Sequence, residues 1–127
     1  MIVVEQKDLE DLVKKMIQAV GSEEIEAKVV ADNLVEANLM GHDSHGVGLA
    51  PRYMGHAIMG TLTPGAEVTK ITDNGVYLLL EGNMGYGQII GRDAMQLGIE
   101  KVRETGAAII GLRNVHHLGR IGAWGEM

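Results

Sequence analysis

Two short apolar runs, Val76-Tyr77-Leu78-Leu79-Leu80 and Ala107 to Leu112, stand on either side of the stretch Gln88 to Thr105. Each run has the length of a buried strand. Between them, Ile90, Ala94, Leu97 and Val102 fall on one helical face, and Gly106 stands just past the end. A glycine loop, Gly82-Asn83-Met84-Gly85-Tyr86-Gly87, joins the first run to the helix. Strand, glycine loop, helix, strand is the order of a βαβ unit, whose crossover helix lets the two strands lie parallel. That order places the chain in the α/β class.

An N-terminal helical segment precedes this sheet region. Leu9, Leu12, Val13, Met16, Ile17 and Val20 form the stripe of a helix over residues 8–20, which Gly21 ends. Ser22 is the expected cap of a second helix running to about Met40, with Ile25, Val29, Leu34 and Val35 inward and Gly41 as its stop. Pro51 opens a short third helix, Arg52 to Met59. Leu62 to Ile71 reads as turn and edge strand, and Asp73-Asn74-Gly75 as a turn. A last helix begins at Arg120 and has no stop signal before Met127. Residues 1–127 therefore read as a single N-terminal portion of a longer protein, with helices over about 8–40, a loop over 41–60 and strand–helix–strand over about 76–112.

The charge balance narrows the partners. A net charge of −6 and a pI near 5.3 disfavour nucleic acid and anionic membranes, which need basic surface. A small anionic ligand needs only a few local cations. There is no cysteine, hence no disulfide or thiolate site, and a cytosolic home is the default expectation. No apolar run approaches the ~20 residues that span a bilayer. The start, Met1-Ile2-Val3-Val4-Glu5, lacks the features of a signal peptide. With no phenylalanine, the methionines are left to fill core volume.

Chemistry-bearing residues gather in two glycine-flanked knots. The first is Gly41-His42-Asp43-Ser44-His45-Gly46-Val47-Gly48-Leu49-Ala50-Pro51-Arg52-Tyr53, and the second is Arg113-Asn114-Val115-His116-His117-Leu118-Gly119-Arg120. Small neighbours let a backbone turn tightly and present side chains to a ligand. His45 is a candidate proton-transfer residue, since imidazole exchanges protons near neutrality. No nucleophile elbow surrounds Ser44. Arg52 is the first choice to fork onto a carboxylate. One of His116 and His117 is expected to line a pocket, because neighbours on a strand point to opposite faces. Metal spacing is poor, and no metal is expected. The loop at residues 82–87 departs from the G-x-G-x-x-G spacing, so its glycines read as tight turns rather than a pyrophosphate cradle.

Asp43-Ser44-His45-Gly46-Val47 with Pro51-Arg52-Tyr53, then Gly82-Asn83-Met84-Gly85 with Gly87-Gln88, then Arg113-Asn114 with His117 and Gly119, resemble the non-Rossmann malate/L-lactate dehydrogenase family. That family includes ureidoglycolate and sulfolactate dehydrogenases, diketogulonate reductase and piperideine-carboxylate reductase. The likeness runs from about Leu9 to the last residue and covers only the N-terminal part of such proteins. It implies a homodimeric oxidoreductase that uses NAD or NADP to move a hydride to or from C2 of a 2-hydroxy/2-oxo acid. A cyclic imine acid is the alternative substrate, and a non-catalytic dimerisation or ligand-binding fragment is the alternative role. By position, Ser44 and His45 match a serine and a proton-donating histidine at the substrate. His117 matches a histidine acting as acid/base in some members, and Tyr53 a substrate contact. His117, Leu118, Gly119, Arg120 and Ile121 match a segment lining the cofactor. The remaining cofactor contacts would lie beyond Met127. There is one departure: family members usually carry arginine five residues after the serine, where this chain has Leu49. Either Arg52 replaces it, the substrate differs, or simple 2-oxo acids bind poorly.

Overall fold

The computed structural model describes residues 3–127, which divide between Gly65 and Ala66 into two compact units. Met1 and Ile2, part of the start tested for a signal peptide, lie outside the described residues.

The first unit is helical. Helix α1 (Gln6–Gln18) packs on α2 (Glu24–Leu39) and on α3 (Ala50–Ile58). Val13 and Ile17 form the buried centre of α1, as its stripe predicts, whereas Leu12, also expected in that stripe, lies about 100° round the helix from Val13 and is exposed. In α2 the inward side is built from Ala27, Val30, Ala31, Leu34, Val35 and Ala37. Ile25, expected inward, is 77% exposed because it lies on the opposite side of the helix from Ala27, Val30 and Leu34. The expected Ser22 cap is also corrected. Glu23 occupies the N-cap without a side-chain bond, while Ser22 is buried. Glu26 ties the end of the unit to α2, both carboxylate oxygens accepting the Gly65 N–H at 3.0 Å. Helix α3 begins at Ala50, two residues ahead of the expected start, so that Pro51 lies inside its first turn.

The second unit holds a three-stranded sheet in the order β1-β2-β3. Strand β1 (Thr69–Asn74) is the antiparallel edge, and β2 (Tyr77–Glu81) runs parallel to β3 (Ile109–Arg113) through the crossover helix α4 (Gly87–Thr105). A short α5 (Gly122–Glu126) follows, starting two residues later than the sequence suggested. The hairpin turn falls on Gly75-Val76 rather than Asp73-Asn74-Gly75, with Asn74 paired to Tyr77. Gly75 has φ +57°, which suits the first central position of a type II′ turn. Val76 is thereby withdrawn from the strand. Leu78 and Leu80 pack on Ala94 of α4, with Val68, Leu97, Ile110 and Leu112 around them. Tyr77 and Leu79 face the other side, where both approach Gly111. The apolar run at residues 76–80 is thus covered on one face, not both. Val102, near the end of α4, is exposed rather than inward. Among the described residues no helix is long and apolar enough to cross a membrane.

Candidate functional site

The first knot begins where α2 stops. Asn38 and Ala37 offer their carbonyls to the N–H groups of Gly41 and His42, at 2.9 and 2.8 Å. Gly41, at φ +77°, supplies the left-handed turn that ends the helix. The chain then makes two 3-10 turns, Asp43–His45 and Val47–Leu49. Ser44 is exposed, His45 is half-buried, and Ser44 Oγ lies 2.9 Å from His45 Nδ1. The Asn38 side chain spans the loop from below. Its Oδ1 accepts the Val47 N–H at 2.8 Å, and its Nδ2 donates to Asp43 Oδ1 at 2.6 Å. Gly46 makes room for that amide: a Cβ there would lie 2.1 Å from Asn38 Oδ1. Its φ of −90° is open to any residue, so space and not backbone conformation requires the glycine.

Beyond this loop, half-buried Leu49 is the N-cap of α3. Arg52 is exposed on α3, available to an anion from solvent. Tyr53 is 1% exposed and belongs to the packed interior of this chain. Ser44 and His45 are therefore brought into direct contact, while Arg52 and Tyr53 point to different environments.

The second knot is interleaved with the glycine loop. Gly82 and Met84 donate their N–H groups to the carbonyls of Arg113 and Asn114 at 2.9 and 2.6 Å, and His116 donates to Gly85 at 3.0 Å. Asn83, Met84 and Asn114 all take positive φ, a costly conformation for residues with a Cβ. Glu81 gathers this bend. Its carboxylate accepts Arg113 Nε at 2.8 Å, Asn114 Nδ2 at 3.1 Å and the Asn83 N–H at 3.2 Å. Burial pushes the Glu81 carboxyl upward, but Arg113, Asn83 and Asn114 together outweigh it and hold the group below the usual carboxylate range.

The three loop glycines are each approached closely by another part of the chain. A Cβ at Gly82 would lie 2.9 Å from Val115 Cβ, at Gly85 3.0 Å from Ala66 Cβ, and at Gly87 2.1 Å from the His117 carbonyl oxygen. The start of α4 is thus packed by the chain itself.

His117 is exposed and His116 half-buried. The Leu118 carbonyl accepts Trp124 Nε1 at 3.2 Å. Gly119 is buried at φ +73°. Arg120, 6% exposed, forks onto Glu126, with Nη1 to Oε1 at 2.9 Å and Nη2 to Oε2 at 2.7 Å. That fork holds the Glu126 carboxyl below its ordinary range. Ile121 is exposed. Among the described residues no three His, Asp or Glu side chains group to hold a metal ion. Asn38, Glu81 and Glu126 were not singled out in the sequence. Only Glu81 had a findable signal, since the parallel register sets it opposite Arg113.

Comparison with known proteins decides the family: its description, malate/L-lactate dehydrogenase, matches residues 4–127. The chain belongs to this family. It is 42% identical over 118 residues to hydroxycarboxylate dehydrogenase B of Escherichia coli, covering 93% of this chain and 33% of that protein. It is 32% identical over 123 residues to the L-sulfolactate dehydrogenase of Methanocaldococcus jannaschii, covering 97% of this chain and 35% of that one. The solved malate dehydrogenase of Pyrococcus horikoshii superposes with a TM-score of 0.93 at 36% identity, over 99% of this chain and 36% of that structure. The fold is therefore the mixed α/β arrangement of malate/lactate dehydrogenase-like proteins. The chain spans about a third of the length of the relatives it matches.

Proposed function

We propose that this chain is the N-terminal portion of an oxidoreductase that uses NAD or NADP to interconvert a 2-hydroxy acid and its 2-oxo acid. The observation that carries this reading is the Ser44–His45 pair, 2.9 Å apart on a loop fixed at both ends by Asn38. When bound, the nicotinamide supplies or accepts the hydride at C2. Reduction of a carbonyl leaves negative charge on its oxygen, and a protonated imidazole beside it can deliver the missing proton. His45 is assigned that role. Ser44, against Nδ1, fixes the ring.

Exposed Arg52 is assigned to the substrate carboxylate, whereas Tyr53, 1% exposed, is assigned to the packed interior rather than to the substrate. His117 is the second acid/base candidate. The segment from His117 to Ile121 fits the neutral part of a dinucleotide better than its phosphates, because the Arg120 charge is already matched by Glu126. The packed start of α4 argues against a pyrophosphate there. The assembly is assigned as a cytosolic homodimer, in line with the family resemblance.

The test follows absorbance at the reduced-nicotinamide band with pyruvate, oxaloacetate, sulfopyruvate and a cyclic imine acid. It uses this chain alone and this chain continued by the remaining two thirds of the E. coli hydroxycarboxylate dehydrogenase B. Turnover is expected only in the longer protein. His45→Ala should lower kcat by about 10²–10⁴-fold there. A long protein that oxidises the cofactor with no acid, or that ignores His45→Ala, would overturn the assignment. Turnover confined to the imine acid would instead establish the reductase alternative.

A further inference from the structure

Asn38 lies outside every motif, yet it makes both side-chain bonds that bracket the Ser44–His45 loop. We propose that Asn38 is a positioning residue for the His45 imidazole. The catalytic meaning of that role rests on the reading of His45 given above, but the positioning itself does not.

Three observations converge on one side chain. Asp43 and Val47, which bracket Ser44, His45 and Gly46, are bonded to opposite ends of the same amide, at 2.6 and 2.8 Å. An amide suits this, since it donates from nitrogen and accepts at oxygen within one planar group. The bond to Asp43 is charge-assisted, and such bonds are roughly twice as strong as neutral ones. The absent Cβ of Gly46 is what admits the amide, at a distance no side chain would tolerate. With both loop ends fixed, the 3-10 turn carrying His45 has little freedom, and Ser44 Oγ meets Nδ1 from within the same turn.

The polarity of the clamp gives a test by reversal. Asn38→Asp keeps the acceptor for Val47 but sets a carboxylate against Asp43. Adding Asp43→Asn returns a donor on the opposite side, so the double exchange rebuilds both bonds with the donor moved. Long-range ¹H–¹⁵N spectra of the histidine rings in the 127-residue chain read tautomer and hydrogen bonding at His45. His56 is the internal reference, held in the same unit with Nδ1 2.8 Å from Thr61 Oγ1. Asn38→Ala and Asn38→Asp should shift the His45 ring nitrogens and leave those of His56 in place, and the double exchange should return His45 to the parent signal. Unshifted His45 signals, His45 and His56 shifting together, or a double exchange that fails to restore His45 would each overturn the proposal. If Asn38→Ala does not fold, the double exchange alone decides between the same outcomes. An inactive long protein would refute the dehydrogenase reading and leave this result standing.

Discussion

Gly87→Ala is the substitution whose outcome the structure determines most sharply. A Cβ at Gly87 would stand 2.1 Å from the His117 carbonyl oxygen, 2.5 Å from its carbon and 2.6 Å from Leu118 Cα. All three neighbours are backbone, so no flexible side chain can swing away. Ordinary contact requires the His117–Leu118 segment or the start of α4 to retreat by roughly 1 Å, and forced packing of that kind costs about 1–3 kcal/mol. Alanine improves helix propensity by at most about 1 kcal/mol, and less at a terminus. The net expectation is a loss of about 2 kcal/mol, or a Tm lowered by about 8 °C at this chain length. Trp124 is the only tryptophan, and its Nε1 is bonded to Leu118, so its fluorescence reports the displaced segment directly. Gly55→Ala is the matched control. A Cβ at Gly55 meets nothing within 4 Å in the middle of α3, and the same change there should stabilise by about 0.5–1 kcal/mol. Thermal melts followed by fluorescence and far-UV circular dichroism check both. A Gly87→Ala protein as stable as its parent, with Trp124 emission unchanged, would refute the claim that this glycine exists for close approach.

Two further outcomes are expected. Arg120 holds the Glu126 carboxyl below its ordinary value, and Lys101 and Lys70 do the same for Asp73. A depressed folded pKa gives stability that is present above the ordinary carboxyl range near ~4 and is lost as pH falls through the folded value. The Tm gap between the parent and Glu126→Gln should therefore be open at pH 7 and close as the pH is taken toward 3; a gap independent of pH would show that the fork contributes no linkage. In the family-length protein, Leu49→Arg should raise kcat/KM on simple 2-oxo acids by roughly 10–100-fold, the worth of one charge-assisted bond. Steady-state kinetics on pyruvate showing no gain over the parent would mean that the carboxylate is bound elsewhere.

What could be read from the chain follows what each signal depends on. Helix α4 was legible because periodicity and a following glycine are local, and the Gly106 φ of +80° fulfils the expected stop. The Ser44–His45 pair was legible because its flanking glycines mark a presented loop. Strand β2 was half legible. An apolar run announces burial but not which face is covered, and Leu78 and Leu80 alone pack on α4. The hairpin was misplaced by one residue because Asp73-Asn74-Gly75 carries turn propensity at each position, and sheet pairing decided among them. The Arg120–Glu126 fork was not legible at all, and the Glu81 cluster only as far as the two strand ends set Glu81 opposite Arg113, since each needs a bend whose path the sequence does not print.

The glycines show most clearly why composition underdetermines a site. A glycine-rich loop before a helix suggests either freedom of φ or bare N–H groups for a phosphate. Gly46 and Gly87 serve neither purpose. Each withholds a Cβ where another part of the chain packs close: the Asn38 amide in one case and the His117 backbone in the other. In each pair one side carries an imidazole assigned to chemistry: His45 next to Gly46, and His117 opposite Gly87. A loop that presents a proton-transfer group must hold it to within a fraction of an ångström, and contacts made by the loop itself do this better than distant packing. The absence of a side chain at Gly46 is thus as much a part of the first knot as His45, and that at Gly87 as much a part of the second as His117. The same argument says that random substitution should find Gly87, met by backbone, less tolerant than Gly46, met by the end of the Asn38 side chain, although neither glycine has an atom able to react.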